Sequence, residues 1–169
     1  MSETCDVAHG KAPADPDVRT LVAVFASPVS RYLLKFARDL GYHVALFEPD
    51  AARATDGPDG IEAATTLPPL DASADVVVTD HHRPELGEVL KAALGQEPRW
   101  IGVLGNPRHP GPHVSALQGL GVAEADIARV HRPVGLNIGS RTPPEIAIAT
   151  LAGLLADRND RPGGFDFTL

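Results

Sequence analysis

Residues 20–48 read TLVAVFASPVSRYLLKFARDLGYHVALFE. Residues 21–26 are a continuous apolar run, the pattern of a strand buried on both faces. Val29, Tyr32 with Leu33, Phe36 with Ala37, and Leu40 then recur at helical spacing. Gly41 stands where a helix C-cap belongs. Residues 44–47, Val-Ala-Leu-Phe, are a second strand. Strand, helix, strand with apolar strands is the unit of a parallel sheet covered on both faces.

The alternation continues outward from this unit. Residues 75–79 and 100–104 read as strands, and residues 130–134 as a short fifth one. Residues 84–94 form a helix, with Pro84 suited to its first position. Residues 114–120 make a helical piece closed by Gly121, and residues 124–129 a shorter one. The last helix spans residues 143–157. Thr142 and Glu145 fit its capping box, the threonine as N-cap and the acid three residues on. Its apolar residues spread around much of its circumference, so it is expected to be largely buried. Right-handed crossovers then give an α/β, Rossmann-like, doubly wound domain. Its mainly parallel sheet has about five strands, with helices on both faces.

The 169 residues include 16 glycines and 16 prolines. That share stays below the roughly 25–30% typical of disordered chains. Much of it falls in residues 1–18, 49–70 and 161–169. These read as an N-terminal tail, a long loop and a C-terminal tail around one domain over residues 19–160. A net charge of −7 without a basic run or face argues against nucleic acid. No apolar run approaches the roughly 20 residues that cross a bilayer. No secretory signal stands at the start. Cys5, the single cysteine, excludes an internal disulfide framework. The chain reads as soluble and cytoplasmic.

Ligands of such folds bind outside the carboxyl ends of the strands. A dinucleotide site there uses a G-x-G-x-x-G turn after the first strand. Here the turn is Phe25-Ala26-Ser27-Pro28-Val29, without glycine, and Pro28 has no N–H to offer a phosphate. Glu48 stands where a ribose-binding acid belongs, and reads equally as a solvated strand-end acid. Asp80, His81 and His82 follow the third strand and read as surface groups, ligand contacts or metal ligands. Neighbouring strand residues point apart, and no further metal-ligand motif is present. Arg108, just after Gly105, could clamp a phosphate or be solvated. Gly135 to Thr142 lead into the capped helix N-terminus, a natural anion site to which Arg141 adds charge. The same loop also reads as a plain structural connection.

Residues 101–105 (IGVLG) and 131–147 (HRPVGLNIGSRTPPEIA) resemble the Rossmann domain of the XdhC/CoxI family. The likeness takes in residues 76–82 and, more loosely, 24–48, and covers most of residues 20–158. It implies an accessory protein for molybdenum hydroxylases such as xanthine dehydrogenase and carbon monoxide dehydrogenase. Such proteins bind the molybdenum cofactor (molybdopterin), support its sulfuration by a cysteine desulfurase, and help insert it into the apo-enzyme. They act as chaperones more than as turnover enzymes, and the resemblance suggests a homodimer.

Typical members carry an additional N-terminal domain that these residues do not include. The family's G-A-G-x turn is here Ala26-Ser27-Pro28, and its T-H-D-H is Thr79-Asp80-His81-His82. Asn137 replaces an aspartate in G-L-D-I-G, and Pro107-Arg108 replaces a basic pair. Candidate cofactor contacts are therefore Ser27, Pro28, Glu48, Asp80, His81, His82, Gly105, Arg108, Gly135, Asn137, Gly139, Arg141 and Thr142. The alternatives are an NAD(P)- or nucleotide-binding oxidoreductase domain, or a ligand-free scaffold for a separate N-terminal-domain protein or a target enzyme. Glycine is missing from the turn that a dinucleotide needs and is kept before the last helix. That favours a phosphate-bearing pterin over NAD.

Overall fold

The structure, a computed structural model, describes residues 3–10 and 18–164. Six parallel strands form one sheet in the order β3-β2-β1-β4-β5-β6. They are β1 (Thr20–Val24), β2 (His43–Phe47), β3 (Ala63–Ala64), β4 (Ala74–Val78), β5 (Trp100–Val103) and β6 (Val130–His131). The helices are α1 (Glu3–Ala8), α2 (Pro28–Asp39), α3 (Leu86–Leu94), α4 (Pro112–Gly119), α5 (Glu124–Ile127) and α6 (Pro143–Arg158). The doubly wound, parallel architecture agrees with the sequence reading. Chain order reverses between β1 and β4, because β1 pairs with both β2 and β4.

Successive strand residues point to opposite faces, and here both faces are apolar. Val22, Val24, Val76, Val78, Ile101 and Val103 meet α3, α4 and α5 on one side. Leu21, Ala23, Leu46, Val77 and Trp100 meet α2 and α6 on the other. The β1, β4 and β5 runs are therefore continuous rather than alternating. Gly102 serves this packing, since the Trp100 ring lies along the strand. A Cβ on Gly102 would sit 2.1 Å from Cη2 of that ring.

Several boundaries differ from expectation. The sheet has six strands because Ala63–Ala64 pairs with Leu46 and Phe47 inside the segment read as a loop. Two alanines carry no periodicity, so nothing announces them. The last strand stops at His131, before Pro133, which has no N–H to continue a ladder. Residues 3–8 form a short helix within the expected N-terminal tail. Residues 11–17 and 165–169, also read as tail, lie outside the described residues. On α6, Ala147, Ala149, Thr150, Leu151 and Leu154 are buried, but Ile148 is 53% exposed. That helix is therefore less enclosed than its composition suggests.

At the amino ends of the strands, Asp75 is fully buried. Arg99 Nε donates to its Oδ1 at 2.6 Å and Arg158 Nε to its Oδ2 at 3.0 Å. Arg99 also reaches Asp157 at 2.6 Å, and Arg158 donates to the Ser73 carbonyl at 2.7 Å. These contacts fix the end of α6 to the bottom of β4 and β5. A buried carboxylate needs such partners, because an isolated buried charge is costly. No helix among the described residues is long and apolar enough to cross a membrane.

Candidate functional site

The carboxyl ends of β1, β2 and β4 meet where ligands of this architecture usually enter. In this chain its own groups fill the place. Phe25 adopts φ +72°, the left-handed conformation that the glycine of a tight turn normally supplies. Its N–H donates to the Phe47 carbonyl at 2.8 Å, and its side chain is fully buried. The Arg83 guanidinium lies 4.4 Å from the centre of the Phe25 ring.

Arg83 Nη1 and Nη2 donate to Glu48 Oε2 and Oε1 at 2.8 and 2.7 Å. The Ala26 N–H donates to Oε2 at 3.0 Å and the Asp50 N–H to Oε1 at 3.1 Å. Each carboxylate oxygen thus holds two donors, which uses its acceptor capacity. Burial pushes the Glu48 carboxyl up. The hydrogen bonds from Arg83, Ala26 and Asp50 outweigh that and hold it below the usual carboxylate range. The same contacts with Glu48, against burial, raise the Arg83 guanidinium further. Glu48 is therefore neither a solvated acid nor free for ribose. Arg83 escaped the sequence reading, although a buried strand-end acid requires a cation.

Ser27 is also occupied. Its Oγ accepts from the Ser30 N–H at 3.0 Å, and its own N–H donates to Ser30 Oγ at 2.9 Å. Ser27 Oγ lies 2.9 Å from Thr79 Oγ1, whose hydroxyl donates to the Val24 and Phe25 carbonyls. Pro28 opens α2 at its first turn. Ala26, Ser27, Pro28, Arg31 and Asp56 line a cleft of about 230 Å³ beside this knot. A larger cleft, about 270 Å³, runs between α6 and Pro133–Leu136, beside the stacked Trp100 and His131 rings.

Phe25→Gly would restore the glycine of a dinucleotide turn. Removing a buried phenylalanine costs about 3–5 kcal/mol. Relief of the left-handed backbone returns about 1–2 kcal/mol. The expected result is a loss near 2 kcal/mol in urea unfolding. No NAD binding should appear on titration, because Glu48 and the Ala26 amide remain engaged. A variant that binds NAD would overturn the reading of this turn.

The carboxyl ends of β4, β5 and β6 differ. His81 Nδ1 lies 2.9 Å from the Leu104 carbonyl, which fixes Nδ1 as the protonated nitrogen of the neutral ring. The His82 N–H donates to Asp80 Oδ1 at 2.9 Å. The two imidazoles do not point apart as expected. Their centres are 4.0 Å from each other, because the chain turns immediately after the strand. Burial, the neighbouring His82 and Arg132 lower the His81 pKa, against the Leu104 hydrogen bond and Asp80, which raise it. No group of three or more His, Cys, Asp and Glu side chains gathers as a metal site among the described residues.

Gly105 lies under the Arg132 side chain, where a Cβ would fall 2.3 Å from Nη2. The Arg108 N–H donates to Asn106 Oδ1 at 2.9 Å. The Arg108 side chain has no hydrogen bond or ion pair among the described residues.

The loop before α6 also has a specific geometry. Gly135 has φ +90°, and a Cβ there would meet the Ala149 carbonyl carbon at 2.9 Å. The Leu136 N–H donates to the Ala149 carbonyl at 3.0 Å. Gly135 therefore serves close packing of backbone on backbone. Asn137 and Gly139 are exposed, and Gly139 has φ +69° with open space around it. Glu145 Oε2 accepts from the Arg141 and Thr142 N–H groups at 2.7 and 3.1 Å. Those two donors lower its pKa. The helix N-terminus thus receives a carboxylate of its own, at the place where the sequence suggested a phosphate.

A family model described as the XdhC Rossmann domain matches residues 21–154. The chain belongs to the XdhC family. YqeB of Escherichia coli (strain K12), an uncharacterized protein, is 34% identical over 166 residues. That match covers 92% of this chain and 29% of YqeB, so the chain spans under a third of that relative. The crystal structure of a xanthine dehydrogenase from Bacillus halodurans shares the fold, with a TM-score of 0.67 and 24% identity. The likeness covers 85% of this chain and 45% of that one. Within this XdhC domain, then, Glu48 and Arg83 are paired under the turn after β1, beside the cleft lined by Ala26, Ser27 and Pro28. At the ends of β4 to β6, the Arg108 side chain has no carboxylate partner among the described residues.

Proposed function

We propose that this XdhC-family chain is an accessory factor for a molybdenum hydroxylase of the xanthine dehydrogenase type. It would carry the molybdenum cofactor as cargo at the carboxyl ends of β4, β5 and β6 and assist its sulfuration or insertion into the apo-enzyme. The observation that carries this reading is the family match across nearly the whole sheet. The geometry supports it in two ways. The turn after β1 offers its Ala26 amide to Glu48 rather than to a pyrophosphate. Arg108 and the neutral His81 imidazole of the other end suit an anionic, hydrogen-bonding ligand. Asp80 is the acid beside them, and its Oδ1 is engaged by the His82 N–H. The cargo supplies the molybdenum centre that the client hydroxylase uses for its own oxidation chemistry. The role is one of holding and handing over rather than of turnover. Partners of this reading are the apo-hydroxylase, a cysteine desulfurase and a second copy of the chain.

Titration of the purified protein with molybdenum cofactor and, separately, with NAD tests the reading. Saturable binding of the cofactor and none of NAD is expected; the reverse would overturn it. A ligand-free scaffold is the second reading. Ile138 and Ile148, 54% and 53% exposed near the start of α6, favour it as an apolar surface for a partner. Failure to bind either ligand, together with co-purification of a hydroxylase subunit, would select the scaffold.

A further inference from the structure

Arg132 is set between β6 and the loop that follows β5. Its Nη2 donates to the Asn106 carbonyl at 3.2 Å and its Nη1 to the His109 carbonyl at 3.4 Å. Its Nε is buried without a hydrogen-bond partner. No carboxylate comes within ion-pair distance of it among the described residues. The other guanidiniums drawn into the fold behave differently. Arg83 meets Glu48, and both Arg99 and Arg158 meet Asp75.

The loop is shaped around this cation. A Cβ on Gly105 would strike the guanidinium, with contacts of 2.3, 2.7 and 2.8 Å to Nη2, Cζ and Nε. A Cβ on Gly111 would strike His113 at 2.5 Å and approach Arg132 Cδ at 3.4 Å. His113 is 94% buried (6% exposed), and its Nδ1 has no partner. Burial and then the Arg132 charge lower the His113 pKa, and Arg132 also contributes to lowering that of His81. Both imidazoles are thus neutral beside an uncompensated positive charge. A half-buried guanidinium without an acid is a ready partner for a tetrahedral oxoanion, which takes two parallel N–H bonds from the fork.

We propose that Arg132, seated on Gly105 and beside His81, anchors a phosphate subsite at the carboxyl ends of β5 and β6. The phosphate is that of a phosphate monoester. That this ester belongs to the molybdenum cofactor rests on the carrier reading above; the subsite itself does not. The assignment also moves the anion from the loop before α6, where Glu145 already receives the free amides, to Arg132.

Calorimetric titration with inorganic phosphate tests the subsite, and circular dichroism verifies the fold of each variant. The wild type is expected to bind phosphate saturably. Arg132→Gln removes the charge and should weaken binding at least about tenfold, a change of about 1.4 kcal/mol. Gly105→Ala keeps every charge but displaces the far end of the arginine, and should weaken binding similarly. It leaves the backbone untouched, so it carries the test if Arg132→Gln does not fold. Arg141→Ala should bind within about twofold of wild type. The subsite is overturned by a wild type that does not bind phosphate, by Gly105→Ala binding as wild type does, or by Arg141→Ala losing the binding. Phosphate binding that depends on Arg132, in a protein that ignores molybdenum cofactor, keeps the subsite and discards the carrier reading.

Discussion

Glu48→Ala is expected to cost about 3–5 kcal/mol of folding stability, the usual result of removing one partner from a buried ion pair. The loss arises mainly from what remains. Arg83 would keep its charge in a site where its side chain is 4% exposed, with the Phe25 ring on one side and no acid except the partly exposed Glu85 at 3.4 Å. The Ala26 and Asp50 N–H groups would lose their acceptor as well. Urea unfolding of the two proteins measures the difference. Replacing both partners, Glu48→Leu with Arg83→Met, should recover much of it, since no lone charge is left behind.

The pair also carries a pH signature. The Glu48 carboxyl titrates lower in the folded protein than its ordinary value of 4.5, so the unfolded chain binds its proton first as pH falls. The stability it contributes is therefore complete above about pH 4.5 and drains away as pH falls through the folded pKa. The Glu48→Ala variant should show a flatter stability profile across that acid range. A ribose-binding acid at a solvated strand end would have given the opposite outcome, with stability unmoved and nucleotide binding lost.

Gly135→Val is the second large effect, expected at about 4 kcal/mol. An L side chain in the left-handed region costs about 1–2 kcal/mol. Forcing extra carbon against the packed backbone of α6 costs about 1–3 kcal/mol more. Backbone cannot yield as a flexible side chain does. The atoms in the way are the Ala149 carbonyl carbon, its oxygen and the Thr150 nitrogen, at 2.9, 3.0 and 3.0 Å. Lifting the loop would also break the Leu136–Ala149 hydrogen bond. Gly139→Ala shares the positive φ but faces open space, so about 1 kcal/mol is expected there. Thermal unfolding of both variants separates the readings. A large loss at Gly135 and a small one at Gly139 marks the first as a packing glycine. Equal, small losses would restore it to the list of ligand contacts.

The sheet was legible because its chemistry is local. The apolar runs after Thr20, at Val76 and at Ile101 cannot be solvated and are too short for helices. Gly41 closes α2 with φ +82°, as its position after Leu40 implied. Ser27 escaped notice as a cap because its partner at the third helical position is Ser30, not the glutamate or glutamine of the usual pattern. The candidate site was less legible for a different reason. Glu48 and Arg83 are separated by 34 residues of chain, and no periodicity ties an acid to the cation that neutralises it. The same holds for Arg132 and Gly105. Residue types at strand ends could be picked out, but not whether each had already been taken by another. His81 and His82 show the limit of a pattern rule, since alternation along a strand ceases once the strand has ended.

The clamp at Asp75 bears on the order in which the molecule is completed. A chain that stops at residue 157 contains all six strands and most of α6. The acid in the middle of the sheet then holds Arg99 but still lacks Arg158, the last residue of α6. The charge of the central strand is therefore fully met only once the last residue of α6 is present. A released chain truncated after residue 157 should be cut by protease along β4 more readily than one that includes Arg158.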